Sequence, residues 1–347
     1  MKKLNLKKLL SLTAAVALTL SLAACSGGTA SSPSPSASAP AGSAPVAGEG
    51  YKVAVVKQLD HASMDEIANA ITGRLDEIAA EKGAEITYQV FSGQNDQSTL
   101  TQIGSQIVAD GYSAIVPIGT LAAQVMVVAA EDSKTPVIFA AVSDPAYNDL
   151  TGIDYLTGTS DALNTEFILD MMLAQNPDTA KVGLLYSKSE TNSATPIAEA
   201  KTYLDGKGIA YVEATANTND EVIAAASSLI ADGVDAVFTP TDNVVMAAEL
   251  AIYEDLAAAG IPHYTGADSF VRNGAFATCG VNYTGLGAQT ADLVDQALTE
   301  GMDGLEDFYK VSGGIITVNT ETAAALGADY SVFADMGDLV EVTTTAE

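Results

Sequence analysis

The sequence predicts an α/β protein made of two doubly wound parallel-sheet lobes joined by a hinge. From Tyr51 onward, short β-branched runs alternate with longer stretches of helical period, which is typical of parallel sheets with crossover helices. The same succession of segments occurs twice at a nearly constant spacing, so that Lys52–Val56 corresponds to Lys181–Leu185. The length of 347 residues also suits two globular domains better than one.

Two segments of different composition precede the repeat. Residues 1–25 are expected to be a lipoprotein signal peptide, because basic residues up to Lys8 are followed by an uncharged run too short to span a bilayer comfortably. This run ends in Leu-Ala-Ala-Cys25, which resembles the bacterial lipoprotein box with its lipidated cysteine; an ordinary signal peptide cleaved nearby is the alternative. Residues 26–50 are rich in Ser, Ala, Pro and Gly, and they predict a disordered tether because they cannot bury enough apolar surface to fold.

The repeat predicts the bounds of the two lobes. We expect residues 51–152 plus about 283–312 to form the first lobe, and residues 153–282 plus about 313–347 to form the second.

The charge of the chain excludes two classes of partner. The sequence contains 44 acidic and 15 basic residues, a formal net charge of −29, and four of the lysines lie within the first eight positions. Binding to nucleic acid is disfavoured, because phosphate neutralisation requires clustered Lys and Arg. Adhesion of the folded part to an anionic lipid surface is disfavoured for the same reason, so contact with a membrane is expected through the lipid anchor alone.

The sequence contains none of the common catalytic, phosphate-binding or metal-binding motifs. A Gly-x-Ser-x-Gly elbow, a Gly-Lys-Ser/Thr loop, a His-Glu-x-x-His pair and a cysteine cluster are all absent. We therefore expect no enzymatic activity, no metal and no cofactor. His263 and Cys279 are expected in the core. A tethered hydrolase stays open as an alternative, because acidic residues are too abundant for their spacing to be informative.

Polar residues concentrate directly after the strands, at the starts of helices. In open parallel sheets, ligands bind beyond the carboxyl ends of the strands, so two facing lobes predict a site in the cleft between them. Helix starts also expose unpaired amides that favour an anionic group. Arg74 and Arg272 are the only arginines, and both lie in predicted helices. Backbone amides and hydroxyls are therefore better candidates than arginine for binding an acceptor-rich ligand group, whereas Asp and Asn side chains would bind an ammonium. For each polar residue, an ordinary helix cap is the alternative role.

The chain from Lys52 to about Gly327 resembles the ABC-transporter substrate-binding lipoproteins of the type that includes tryptophan and tyrosine binders, which have the type I periplasmic-binding-protein fold. The matching stretches are Gln58–His61, Gly93–Ser98, Val137–Pro145, Val182–Ser187, Glu190–Ser193, Glu213–Thr215, Pro240–Asn243 and Ile316–Asn319. The resemblance implies capture of a small ligand, an amino acid with an aromatic or other hydrophobic side chain. It also implies a monomer at the extracytoplasmic face of the membrane, which delivers the ligand to an ABC permease and its ATPase. The lobes of such a protein would close on the ligand by hinge motion, through crossing segments near residues 151–158, 276–283 and 311–316.

The resemblance further implies which residues approach the ligand. The candidates are Gln58, His61, Gln94, Thr120, Ser143, Asp144, Ser189, Asn192, Ser193, Asp242, Asn243 and Asp268. The family often has Glu-His-Pro after its first strand, where this chain has Asp60-His61-Ala62, and without Trp any stacking would come from Tyr or Phe, such as Tyr186. A receptor that feeds a membrane sensor stays open as an alternative to a transport component, because the fold cannot separate the two.

Overall fold

A computed structural model describes residues 50–345, so the predicted signal peptide, the lipidation of Cys25 and residues 26–49 of the predicted tether lie outside the described residues. Strands and helices alternate along the described part. The strands are β1 (Tyr51–Lys57), β2 (Ile86–Ser92), β3 (Ala114–Ile118), β4 (Val137–Phe139), β5 (Leu156–Ser160), β6 (Lys181–Tyr186), β7 (Ala210–Thr215), β8 (Ala236–Thr239), β9 (His263–Thr265), β10 (Ala277–Val281), β11 (Tyr309–Lys310), β12 (Gly313–Asn319) and β13 (Asp338–Val342).

The helices connect these strands. They are α1 (Ala62–Lys82), α2 (Gln97–Ala109), α3 (Thr120–Ala129), α4 (Thr165–Gln175), α5 (Ala194–Lys207), α6 (Asn219–Asp232), α7 (Asn243–Ala248), α8 (Tyr253–Ala258), α9 (Asp268–Arg272), α10 (Tyr283–Thr299) and α11 (Thr320–Leu326). Short 3₁₀ turns lie at 191–193, 249–251 and 331–335. Many helices begin where a polar side chain accepts a hydrogen bond from a first-turn amide, and these capping residues include Asp96, Asn164, Thr218, Asn282 and Asn319.

The strands form two sheets, and the predicted class of two α/β parallel-sheet lobes is confirmed. The first sheet has the strand order β11-β5-β4-β3-β1-β2, and its strands pair in parallel. The second has the order β13-β12-β10-β9-β8-β6-β7, in which only β12 and β10 pair antiparallel. Val53–Val56 of β1 are fully buried, as expected for a parallel strand covered by helices on both faces.

The structure corrects the predicted boundary between the lobes at residues 152 and 153. Strand β5 pairs with β4, with Leu156 opposite Val137, so the chain leaves the first sheet only after Ser160. Small and polar residues hid this strand in the sequence. Its Gly158 is required, because a Cβ there would lie 2.3 Å from the carbonyl oxygen of Phe139. The other two changes of lobe fall at residue 282 and at residues 311–312.

Helix α10 completes the first lobe by packing on α1. The two helices approach closely at Gly287, where a Cβ would lie 2.7 Å from the Cβ of Ala70 and 2.8 Å from the carbonyl oxygen of Ile67. Leu286 and Val294 of α10 are fully buried. Within residues 50–345, no helix has both the length and the apolar character needed to cross a membrane.

Candidate functional site

A cavity of about 40 Å³ lies between the two lobes, at the carboxyl ends of their strands. Both lobes contribute polar side chains to its wall. These residues are His61, Ser63, Thr120, Ser143, Asp161, Asn192, Thr241, Asp242, Asn243 and Ser269. Six of the twelve residues predicted as ligand contacts are therefore among the lining residues: His61, Thr120, Ser143, Asn192, Asp242 and Asn243.

The starts of two helices position the hydroxyls of the first lobe. Ser63 lies in the first turn of α1, and Thr120 is the first residue of α3. Gly119 precedes Thr120 with a φ of 93°, and a Cβ there would lie 2.8 Å from Oε1 of Gln58. That close approach lets Gln58 Oε1 accept a hydrogen bond of 3.0 Å from the amide of Leu121. Gln58 therefore caps α3 and fixes the start of the helix beside the cavity.

Four buried polar atoms in the cavity wall have no hydrogen-bond partner. They are His61 Nδ1, Ser63 Oγ, Thr120 Oγ1 and Ser269 Oγ. Within residues 50–345, the one other such buried side-chain atom is Oε2 of Glu249. A buried polar group left unpaired costs about 1–3 kcal/mol, so native proteins rarely gather several of them without a partner. Their occurrence together makes the cavity the candidate ligand site.

Asp161 is a residue of the cavity wall that the sequence analysis missed. It directly follows β5, the strand that the sequence did not reveal, and its side chain is buried in the cavity wall. The carboxylate accepts hydrogen bonds from Ser143 Oγ at 2.9 Å and from the hydroxyl of Tyr283 at 3.3 Å. Burial raises the pKa of Asp161, since water no longer stabilises its charged form. No ion pair reaches it from any residue in the described part of the chain.

Asp242 also lines the cavity, but both oxygens of its carboxylate already accept hydrogen bonds from residues of the second lobe. Oδ1 accepts from the amides of Val244 and Val245 at 3.1 and 3.0 Å, and Oδ2 accepts from the amide of Ser187 and from Ser193 Oγ at 2.7 Å each. The side chain therefore caps α7 and ties it to the loop after β6. Ser193, predicted as a ligand contact, instead contributes one of these bonds and does not line the cavity.

Apolar side chains form the remaining wall of the cavity. Met64 and Ile67 of α1 face it from the first lobe, and Met246 and Phe270 face it from the second. Tyr283 adds an aromatic ring beside Asp161. Tyr186, the stacking residue suggested by the sequence, is not part of the wall, because its hydroxyl donates to Glu213 Oε2 at 2.6 Å.

Three further predicted contacts lie outside the cavity because local structure turns their side chains away. Gln94 is exposed in a turn with a φ of 52°. Ser189 is exposed and hydrogen-bonded to Ser187. Asp268 is partly exposed and pairs with Arg272 at 3.1 Å. The structure thus gives none of the three a position on the cavity wall.

The last two predicted residues outside the cavity, Gln58 and Asp144, instead join the two lobes. Nε2 of Gln58 donates to Oε1 of Glu190 at 3.3 Å, and Oδ2 of Asp144 accepts from the hydroxyl of Thr195 at 2.6 Å. Two pairs in the cavity wall do the same, His61 Nε2 with Asn243 Oδ1 at 3.1 Å and Ser143 with Thr241 at 3.2 Å. The lobes are therefore closed on each other in this structure.

Glu190 accepts hydrogen bonds from residues of both lobes. Its Oε1 accepts from Gln58 Nε2 at 3.3 Å and from Asn95 Nδ2 at 3.5 Å, both in the first lobe, while its Oε2 accepts from Asn243 Nδ2 at 2.7 Å. Burial, together with the nearby Asp242 carboxylate, raises the pKa of Glu190 to about 7.

Stability is therefore expected to depend on the protonation of Glu190. A carboxyl whose pKa is raised by folding favours the folded state at low pH, and this contribution is lost as the pH rises from its unfolded value, about 4.5, towards about 7. In urea unfolding without ligand, the Glu190→Gln variant should lose less stability than the unmodified protein between about pH 5 and pH 7.5. Asp161 titrates in both proteins, so the difference reports Glu190 together with its effect on the neighbouring Asp242 carboxylate. Equal losses would contradict this assignment.

The remaining histidine and the cysteine of the described chain are buried in the core. His263 is buried and hydrogen-bonds Glu249 Oε1 at 3.0 Å and Thr239 Oγ1 at 2.8 Å. Cys279 is buried, which raises the pKa of its thiol to about 11. Both were predicted in the core, and their burial is confirmed. Residues 50–345 contain no group of three or more His, Cys, Asp or Glu side chains placed to hold a metal ion.

Comparisons with known proteins show which proteins this chain is similar to. The sequence profile described as ABC transporter substrate binding protein matches residues 52–331. The chain is 27% identical over 279 residues to the tyrosine-binding protein of Clostridioides difficile strain R20291, an alignment that covers 79% of this chain and 80% of that protein.

Two solved structures are similar to this one. An ABC domain in complex with L-Trp from Streptococcus pneumoniae has a TM-score of 0.76 and 26% identity, over 84% of this chain and 100% of that one. A ligand-free, open structure of a substrate-binding protein with adhesive properties from Clostridium difficile has a TM-score of 0.64 at 26% identity, over 85% of this chain and 100% of that one. The arrangement of lobes is that of type I periplasmic binding proteins, and in shape it is closer to the L-Trp complex than to the open structure.

Proposed function

The chain belongs to the family of ABC transporter substrate-binding proteins, and from this premise we propose that it captures an amino acid with an aromatic or other hydrophobic side chain. The ligand binds in the cavity between the lobes and is delivered to a permease powered by a cytoplasmic ATPase. The protein works as a monomer at the extracytoplasmic face of the membrane, where a lipid on Cys25 anchors it through the tether of residues 26–50.

The convergence of the four unpartnered polar atoms beside Asp161 carries this proposal. An amino acid has a carboxylate that can accept hydrogen bonds from the free hydroxyls of Ser63, Thr120 and Ser269. Its ammonium can pair with the buried carboxylate of Asp161, which has no cation of its own. Its side chain can lie against the apolar wall that includes Phe270. The tyrosine and L-Trp in the descriptions of the relatives support this ligand class.

Ligand entry requires the lobes to separate. A cavity of about 40 Å³ is smaller than an aromatic amino acid, and hydrogen bonds between the lobes hold them together. Hinge motion in the three crossing segments opens such clefts, since a few residues between rigid lobes absorb the rotation. Met64 and Met246 in the wall can also adapt, because methionine has an unbranched, flexible side chain.

A thermal-shift screen tests the proposed ligand class. The purified protein is heated with each of the twenty amino acids and with a panel of nucleosides and simple sugars. One or a few hydrophobic amino acids should stabilise it, by about 2.7 kcal/mol at a ligand concentration of 100 times Kd. A nucleoside or sugar that stabilises the protein when no amino acid does would contradict the ligand class, and steady turnover of a ligand would contradict a binding function.

A further inference from the structure

The charges around the cavity are all of one sign. Asp161 and Asp242 line it, and Glu190 lies directly behind Asn243, whereas no lysine or arginine contributes to the wall. None of the ion pairs within residues 50–345 includes Asp161, Asp242 or Glu190. Lys57, at the end of β1, pairs with two aspartates outside the cavity. A cationic group of the ligand would therefore give the buried Asp161 carboxylate the positive partner that it lacks in this structure.

Two residues of the wall have acceptor atoms that could bind a positively charged ligand group. Asp161 receives only two hydroxyl hydrogen bonds from other side chains, whereas Asp242 receives four hydrogen bonds from the second lobe. His61 supplies the second acceptor. Burial lowers the pKa of His61, so its ring is neutral near pH 7. A neutral imidazole has one N–H donor and one acceptor nitrogen.

The hydrogen bonds of His61 fix which nitrogen is the acceptor. Asn243 uses its Nδ2 to donate to Glu190 Oε2 at 2.7 Å, so its Oδ1 faces Nε2 of His61 as an acceptor at 3.1 Å. Nε2 therefore carries the proton and donates it to Asn243. Nδ1 then has an unprotonated lone pair, and this buried atom has no hydrogen-bond partner. The chain Glu190–Asn243–His61 thus leaves an unpaired acceptor on a residue of the cavity wall.

The hydroxyl groups of the wall have no comparable preference for charge. Ser63, Thr120 and Ser269 offer hydroxyls, which donate or accept equally well and can bind a carboxylate or an ordered water. A ligand carboxylate gains hydrogen bonds there but meets no positive side chain. The ammonium therefore contributes more to binding than the carboxylate.

We propose that the cavity is a primary-amine site in which the ligand's ammonium is required and its carboxylate is dispensable, so that the ligand class extends from amino acids to the corresponding decarboxylated amines. The inference rests on the proposed function, since it concerns the same cavity. It predicts that an amine binds within about tenfold of its amino acid, while the deaminated acid binds at least about 100-fold more weakly.

Calorimetric titration of matched compounds tests this order of affinities. The compounds are L-tryptophan with tryptamine and 3-indolepropionate, L-tyrosine with tyramine and 3-(4-hydroxyphenyl)propionate, and L-leucine with 3-methylbutylamine and 4-methylpentanoate. An amino acid that binds while its amine does not, or an acid that matches its amino acid, would overturn the inference and leave the proposed function intact. An absence of binding in all three series would overturn the proposed function together with the inference.

A variant of one wall hydroxyl separates the roles of the ligand's carboxylate and ammonium. Thr120→Val replaces a hydroxyl with a methyl of similar size, so it should weaken the binding of the amino acid about tenfold and change the affinity of its amine by no more than about twofold. Equal losses for both compounds would overturn the assignment of the carboxylate to the wall hydroxyls.

Discussion

Replacement of Asp161 by Asn is expected to weaken amino-acid binding at least about 100-fold while leaving the ligand-free protein at least as stable as before. The variant removes the buried carboxylate that pairs with the ligand's ammonium, and a lost charged hydrogen bond in a desolvated site is costly. The free energy of unfolding should not fall, because burial raises the pKa of Asp161. At a pH above the pKa of this group in the unfolded chain, its ionised form therefore opposes folding. Calorimetry gives the affinity and urea unfolding gives the stability.

Asp268→Asn is the matched control for this experiment. Asp268 lies at the start of α9 beside the cavity residue Ser269, but it is partly exposed and pairs with Arg272. Its replacement should change the affinity by no more than about twofold, since surface ion pairs contribute little. An unchanged affinity in Asp161→Asn, or a loss in Asp268→Asn as large as the one expected there, would contradict the placement of the ammonium at Asp161.

Asp242→Ala is expected to cost about 3–5 kcal/mol of unfolding free energy in the ligand-free protein. The carboxylate is fully buried and accepts hydrogen bonds from three backbone amides and the hydroxyl of Ser193. Its removal leaves those donors without partners in the interior, and the start of α7 loses its cap. Urea unfolding at constant pH measures the loss.

Asp220→Ala provides the comparison, because Asp220 also lies in the first turn of a helix but is exposed. Its replacement should change the free energy of unfolding by no more than about 0.5–1 kcal/mol, which is the usual contribution of an exposed charge near a helix start. A loss below about 1 kcal/mol in Asp242→Ala would show that α7 and the loop after β6 do not depend on that carboxylate.

The fold was predictable because its signals extend over many residues. Buried strands such as β1 and β6 are continuous apolar runs, and the repeat places equivalent strands at equivalent positions in both lobes. Strand β5 has no such run, since Leu-Thr-Gly-Thr-Ser carries neither alternation nor a block of large apolar residues. Because this strand was missed, the predicted boundary between the lobes fell too early in the chain. For the same reason, Asp161 was not recognised as a polar residue at a strand end.

The candidate site was predictable in its place but not in all of its members. Loops at the carboxyl ends of both sheets were expected to face the cleft, and His61, Thr120 and Asn243 do so. Neighbouring residues at a helix start, however, point about 100° apart. Asp268 and Ser269 are adjacent, yet only Ser269 lines the cavity. A single sequence does not reveal whether a polar side chain in such a loop faces the ligand, the other lobe or solvent.

The position of Asp161 has a consequence for the order of events during capture. Asp161 directly follows β5, and Tyr283 directly follows the second crossing, so both lie next to segments that join the lobes. Residues beside a hinge move least when lobes rotate, whereas we expect the hydrogen bond between Gln58 and Glu190 to break on opening. Under the proposed function, an arriving ligand would therefore meet its ammonium partner already in place in the open protein. Binding would begin at Asp161, and the contacts between the lobes would form last.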